Sequence, residues 1–274
     1  MIESPTLDGK GMSQRSAGLL ARWGAPSWLR QISLVLGAAI LLTVLFSSIF
    51  ASYISPYPPN EQNLANTLQP PSQAHPFGTD NFGRDVFSRV LHAGKLDMTI
   101  GVLCVLFPWI IGVFLGCLAG YLGGLSDTVI MRTVDVFTAF PFLVLAIAII
   151  AILGAGLTSM VVALTLAGWT AYTRIVRGEI LVVKRSEFIQ AARALGYSNM
   201  RIMLRHVLPN VVTPAVIFAM ADIILVILST TALSFLGLGV QPPTAEWGSM
   251  IAEGRNFIMT AWWIVTFPGL AIML

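Results

Sequence analysis

The hydrophobic positions of this chain fall in long runs that contain no charge. Five such runs cover Gln31–Asn60, Met98–Ser126, Val136–Thr173, Ile223–Ala245 and Asn256–Leu274. A helix needs about 20 mostly apolar residues to cross a bilayer, and each run reaches or approaches that length. The run 136–173 is too long for a single crossing. Gly154-Ala155-Gly156 at its middle is a turn signal, so it is read as a hairpin of two helices. Six spans result, near 32–54, 98–121, 134–153, 157–174, 211–236 and 257–274. The predicted fold class is all-α, a polytopic membrane protein with six transmembrane helices.

The charges between the runs give the spans a direction, because Lys and Arg accumulate on the cytoplasmic side. With the hairpin, the inner segments carry twelve basic residues and the outer segments four. Without it, the counts are six inside and ten outside. The hairpin therefore stands. Residues 1–30 form a cytoplasmic basic tail carrying Lys10, Arg15, Arg22 and Arg30. The first transmembrane helix, 31–54, has an apolar body longer than a signal-peptide core, and Pro56, Pro58 and Pro59 stop it. An extracytoplasmic segment, 55–96, follows. Residues 97–274 hold the remaining five spans and a cytoplasmic loop, 178–209. The last run reaches Leu274 with no basic anchor behind it, and its helix is expected to be incomplete.

Composition narrows the class further. Apolar residues make up 56% of the chain, mean hydropathy is +0.80, and charged residues are 11%, against roughly 25% in an ordinary soluble domain. A disordered chain, a secreted disulfide scaffold and a cytosolic enzyme are poor fits. The net charge of +3 is topological, so nucleic acid is not an expected partner; the lipid bilayer is. Cys104 and Cys117 share one apolar run and would lie about 20 Å apart along a helix, too far for a disulfide.

Little in the chain points to catalysis. No Gly-rich loop ending in Gly-Lys-Ser/Thr is present to cradle a phosphate. His75, His92 and His206 are isolated, without the close pairing of a zinc site. No catalytic residue and no metal ligand is expected. Asp222 is the one acid well inside a span, where a carboxylate faces protein or a water-filled cavity. It is read either as a pathway residue near a substrate amino group or as an interhelical hydrogen-bonding group. Ser229 lies two helical turns further on, on nearly the same face. Asp135 is assigned a local pair with Arg132. Pro108 and Pro141 are expected to kink their helices. Gly112, Gly116 and Gly120 form a small-residue ridge for close helix approach. Gly78-Thr79-Asp80 and Gly83 lead into an expected external interfacial helix from Arg84 to Leu91.

The loop between the fourth and fifth spans carries the most specific pattern. Ser186 is expected to cap a short helix with Glu187 in its first turn. Gly196 ends that helix. Ser198 caps a second helix, which runs to Leu208 and stops before Pro209. Taken alone, the loop is either a docking device or an amphipath resting on headgroups through Arg193, Arg201 and Arg205. Glu187, Ala191, Ala192, Gly196 and Pro209, with Phe188, Ile189 and Gln190 between them, resemble the cytoplasmic "EAA" loop of ATP-binding-cassette (ABC) importer permeases. In that family the first short helix docks in a groove of the ATPase subunit.

Three more stretches narrow the resemblance. His75 to Gly94, Ala232 to Gly248 and Trp262 to Gly269 resemble signatures of dipeptide, oligopeptide and nickel permeases, of the second or C type. The resemblance covers nearly everything from Ile54 onward. It implies the type I importer permease fold and a multi-pass bacterial inner-membrane subunit with a cytoplasmic N-terminus. It also implies a second homologous permease, two ATP-binding subunits that carry ATP and Mg, and an extracytoplasmic solute-binding protein. No cofactor belongs to the chain itself. By the same resemblance Glu187, Ala191, Ala192, Gly196 and Pro209 are the ATPase-coupling residues. The pathway candidates Asp222 and Ser229 rest instead on the place of the acid inside a span; many relatives carry an acid at the position of Ser229, and the family does not license Asp222 as its substitute. The expected cargo is di- or oligopeptide, with nickel or a metal chelate as alternative. An ion-coupled secondary carrier with Asp222 as coupling acid is the competing class; it leaves the two-helix loop unexplained.

Overall fold

The computed structural model describes residues 27–274. The basic tail assigned above to 1–30 lies almost entirely outside the described residues. Described residues up to Val44 form one unit and Leu45–Leu274 a second. Helix α1, Ser27–Ile49, runs out of the first unit into the second. It breaks at Phe50, and a single turn, α2 (Ala51–Ile54), completes what the hydropathy read as one span.

The second unit is built of helices joined by loops, the longest of them 55–85 with one short helical turn, Leu64–Asn66; among the described residues, β-pairing is limited to an isolated bridge between Thr79 and Asp85. Its axis is α3, Val86–Cys117, continued by a π-helical turn, Leu118–Leu122. The expected interfacial helix at Arg84–Leu91 does not exist as a separate element. Asp85 takes the N-cap and accepts from the Ser88 amide at 2.8 Å, so the spanning helix starts at Val86 and absorbs residues assigned to the segment 55–96. Pro108 lies inside α3 without ending it.

Pro141 does break its helix. The third span is two helices, α4 (Gly124–Thr138) and α5 (Phe142–Leu153), bent by 89°. Proline removes a backbone donor and disfavours the helical conformation at the residue before it, and Pro141 becomes the N-cap of α5. The glycine turn then leads to α6, Leu157–Val183. Gly154 and Gly156 both adopt positive φ, as the hairpin requires.

The glycine ridge of α3 meets α6 along the largest helix–helix interface of the unit. A Cβ on Gly116 would stand 2.8 Å from Val176 Cβ, and one on Gly120 would stand 2.9 Å from Ile180 Cβ. These distances leave no room for a methyl group, so the ridge is what lets the two backbones close.

After α6 come α7 (Glu187–Ala194) and α8 (Asn199–Ile202). The second loop helix does not stop at Leu208. A π-helical turn, Met203–Val207, carries it into α9, Leu208–Phe235, with Pro209 in the first turn. The wider turn bonds Leu208 N–H to Met203 O and accommodates a proline that cannot donate. Helices α10 (Trp247–Gly254) and α11 (Trp263–Met273) close the unit. Three described helices are long and apolar enough to cross a membrane alone: 86–122, 157–183 and 199–235. The bent pair α4–α5 would make a fourth if taken as one span, and the apolar helices at 34–49 and 263–273 are shorter.

Candidate functional site

The loop is built from its inner face outward. Ile189 and Ala192 are buried and join Val176, Ile180, Ile202 and Val207 in one apolar cluster. The loop therefore sits on the ends of α6 and α9 rather than hanging free. Lys184 Nζ donates to Tyr121 O at 2.7 Å, and Tyr121 Oη donates to Asn199 Oδ1 at 3.1 Å, tying the end of α3 to both sides of the loop. The turn between α7 and α8 is a Schellman motif: Tyr197 N–H donates to Ala192 O and Gly196 N–H to Arg193 O. Gly196 stands at φ +77°, which glycine adopts without steric cost.

Two details depart from the sequence reading. Ser186 takes the N-cap position of α7, but its hydroxyl donates to Val183 O at 2.6 Å and caps nothing. Ser198 does cap, accepting from Arg201 N–H. Ala191 and Ala192 also do not share one presented face. Ala192 is buried inward, whereas Ala191, about 100° round the helix, is exposed together with Phe188 and Leu195. Glu187, Gln190 and Arg193 are exposed as well, so an apolar stripe runs along one flank of α7 beside polar residues.

Asp222 lies on α9 at an open cavity of about 550 Å³ lined by residues of α3, α4, α5, α6 and α9. Tyr172 Oη donates to Asp222 Oδ2 at 2.7 Å, and the Tyr172 ring is itself fully buried, edge-on to Phe218. Ser229 lines the same cavity, so the two pathway candidates meet as the helical spacing predicted. Asp135 sits in the last turn of α4 rather than at the start of a span. Its close partner is Arg174 of α6, at 3.1 Å, with Arg132 at 4.0 Å. Arg177 grips Asp127 through two nitrogens, at 2.5 and 2.7 Å, a second tie between α4 and α6.

This arrangement of loop and cavity has relatives. Residues 112–274 match the family described as binding-protein-dependent transport system inner membrane component. Residues 29–71 match the N-terminal transmembrane domain of oligopeptide transport permease C. The chain belongs to this permease family. It is 41% identical over 240 residues to the probable D,D-dipeptide transport system permease protein DdpC of Escherichia coli K12, covering 88% of this chain and 80% of that one. It is 40% identical over 244 residues to the di/tripeptide permease DppC of Pseudomonas aeruginosa, covering 87% and 80%. The glutathione permease GsiD of an Escherichia coli O6 strain is 43% identical over 246 residues, covering 89% and 81%. An inward-facing structure of the methionine ABC transporter MetNI shares the fold with a TM-score of 0.54 at 18% identity, over 68% of this chain and 88% of that one. The chain is thus a C-type permease subunit of an ABC importer. It is a transport component whose ATPase is a separate subunit.

The permease also contains a charged cluster that sequence reasoning did not assemble. Arg84 donates to Asp80 at 2.5 Å and to Glu253 at 2.7 Å; Arg89 lies 3.8 Å and 3.6 Å from the same two carboxylates. Both arginines are 1% exposed. Arg89 Nη1 further donates to Pro59 O, Asn60 Oδ1 and Pro243 O. His75 Nδ1 meets Asp85 at 2.9 Å. Two tryptophan indoles add bonds to backbone, Trp247 to Val90 O and Trp263 to Thr79 O. Glu246 caps α10 by accepting from the Gly248 and Ser249 amides, and Asp97 accepts from Trp247 N–H. Burial pushes the Glu246 carboxyl above its ordinary range. The signal available in sequence was the concentration of Asp, Arg and Gly between His75 and Gly94. Its partners lie some 170 residues away.

Proposed function

We propose that this permease forms half of the translocation path of a di- or oligopeptide importer and carries the ATPase-docking element on its 187–209 loop. The observation that carries the docking role is the two-sided α7: Ile189 and Ala192 anchor it to the spans, while Phe188, Ala191 and Leu195 stand exposed beside Glu187. A helix anchored in this way transmits force as a rigid body. An ATPase groove that engages the outer face would move α6 and α9 together, since the loop is packed on both. That motion would open the cavity at Asp222 to one side of the membrane and then the other, a rigid-body transition between two states.

The names of the relatives support the peptide cargo. The complete machine would contain a second, homologous permease, two ATPases binding ATP and Mg, and an extracytoplasmic solute-binding protein. The basic-residue asymmetry supports a cytoplasmic N-terminus and loop. The cap of buried charges around Arg84 and Arg89 then lies on the outer side, where a loaded binding protein would arrive.

Uptake by the complex reconstituted in proteoliposomes tests the energy source. Vanadate should stop it and a protonophore should not; the reverse result would favour an ion-coupled carrier. Ligand retained by the co-purified binding protein tests the cargo, and a nickel complex in place of a peptide would overturn the peptide reading. Labelling of Ser198→Cys from the outer face would overturn the orientation.

A further inference from the structure

The cavity at Asp222 has a chemical bias that membership of the family does not supply. Among the described residues, Asp222 is the only charged one that lines it. Its carboxylate takes one hydrogen bond, from Tyr172 to Oδ2, and no ion pair. Three lining hydroxyls are committed as donors to their own helices: Thr138 to Val134 O, Thr170 to Ala167 O and Ser229 to Leu225 O. What remains on offer is acceptors, the free Asp222 oxygen and hydroxyl lone pairs. Phe137, Phe140 and Phe142 stand in the same wall, and aromatic faces attract cations. A carboxylate at this depth is costly unless something compensates it.

We infer that the cavity is a transient subsite for the ammonium end of the cargo, with Asp222 as counter-ion and Tyr172 as the residue that positions it. An ammonium brings three donors and no acceptor, which is the complement of this lining. A bare metal ion is a worse match. Among the described residues no three of His, Cys, Asp and Glu gather as metal ligands. The cavity's volume falls in the range of small-molecule sites. The inference rests on the peptide reading above and specifies which end of the peptide the permease holds. An anionic group would meet repulsion and find few donors.

The test uses the complete transporter in proteoliposomes, with saturating binding protein loaded to equal occupancy with trialanine or N-acetyl-trialanine. A charge-assisted hydrogen bond is worth on the order of tenfold or more, so the wild type should move trialanine about tenfold faster than the acetylated form. Asp222→Asn should bring trialanine down to the acetylated rate, leave the acetylated rate unchanged and keep ATPase co-purification intact. Asp222→Glu should restore most of the difference. Unchanged trialanine uptake in Asp222→Asn would overturn the inference. So would an equal loss for both peptides, which is the mark of a structural role. If Asp222→Asn fails to assemble, Tyr172→Phe takes its place; it should cut the discrimination by about threefold, and a uniform loss would again overturn it. Indifference to Asp222→Asn in a transporter that carries trialanine sinks only this inference. A wild type that carries neither peptide but does carry nickel sinks the peptide reading with it.

Discussion

The two ends of α3 solve the same problem in opposite ways. At its start, charges are buried and answered within the chain: Arg84 and Arg89 are each 1% exposed and share Asp80 and Glu253. Beyond its end, at the loop, apolar side chains are left outside: Leu195 is 72% exposed, Met200 61%, Leu204 53% and Phe188 48%. The first region pairs its charges internally, with Arg89 Nη2 and Asn81 Oδ1 left buried without a hydrogen bond. The second is complete only on its inner face, where Ile189, Ala192, Ile202 and Val207 are buried. A region that satisfies its own polar groups contributes rigidity. A region that exposes apolar surface beside an anchored helix is an interface awaiting a partner.

The sharpest way to break this comparison is at the cap. Removing one partner of a buried ion pair strands the other charge and costs about 3–5 kcal/mol. Arg84→Met would remove the close bonds to Asp80 and Glu253 and leave both carboxylates to Arg89 alone, at 3.8 and 3.6 Å. The expected result is a sharp fall in thermal stability of the purified complex and in membrane levels, before any question of transport arises. If the variant melts with the wild type, the cap is not the self-contained element described here.

The inner face of the loop comes next. Ala192 is 5% exposed, and overpacking a fitted contact costs about 1–3 kcal/mol, with a desolvation penalty added when the new group is a carboxylate. Ala192→Glu should therefore loosen the loop in the permease alone, seen as faster amide exchange over 187–208. Gly196→Val follows. No atom stands within 4 Å of a Cβ at Gly196, so the cost is backbone strain at φ +77°, about 1–2 kcal/mol. Gly196→Val should therefore co-purify less ATPase, and Gly196→Asn, which tolerates positive φ better, should recover part of that loss.

These sites differ in how far the sequence reveals them. Apolar run lengths show the helices, and the basic-residue count is consistent with a turn at Gly154, because both effects are local and additive. Gly196 is legible for the same reason: a chain terminator after a short helix is a property of a few adjacent residues. The bend at Pro141 was half legible. Its site follows from proline chemistry, but its 89° angle depends on what α4 and α5 pack against. The inward turn of Ala192 was misread, since α7 alone has no inside until the ends of α6 and α9 supply one. The cap was opaque. Arg84 and Glu253 are 169 positions apart, and nothing in the segment 75–94 names a partner in α10. Asp222 and Ser229 could be put on one face by helical arithmetic, whereas Tyr172 became visible only across the α6–α9 contact.

A smaller effect sharpens the cap's account through pH. Glu246 is 1% exposed, and burial raises its carboxyl above the ordinary 4.5. Between those two values the folded chain binds more protons than the unfolded one. Its contribution to stability is therefore full below about pH 4.5 and is lost as pH rises through the raised value. Asp97 accepts from the neighbouring amide of Trp247, so a second buried carboxyl faces the same turn. Glu246→Gln keeps one of the two acceptor oxygens, which serve Gly248 and Ser249 separately, and carries no titrating proton. Melting temperatures of the variant should fall less than those of the wild type on going from acid to neutral pH. An identical pH profile would place the titrating group elsewhere.

The smallest expected effect on the permease itself is the most informative about its partner. Ala191 is exposed, one residue from buried Ala192 on α7 and about 100° round the helix from it. A longer side chain there meets solvent in the isolated subunit, and surface substitutions of this kind usually change stability by less than about 0.5 kcal/mol. A groove closed over the outer face would feel it differently. It would have to accommodate four more side-chain heavy atoms and desolvate a carboxylate. Ala191→Glu should therefore leave melting temperature and amide exchange over 187–208 unchanged while lowering ATPase co-purification and uptake by tenfold or more. Ala192→Glu, by contrast, should disturb exchange in the permease alone. If both variants lose the ATPase with equal local disorder, α7 acts as a single folded unit with no privileged outer face. If Ala191→Glu keeps its ATPase and its transport rate, the exposed stripe from Phe188 to Leu195 faces lipid headgroups and the docking surface lies elsewhere on the loop.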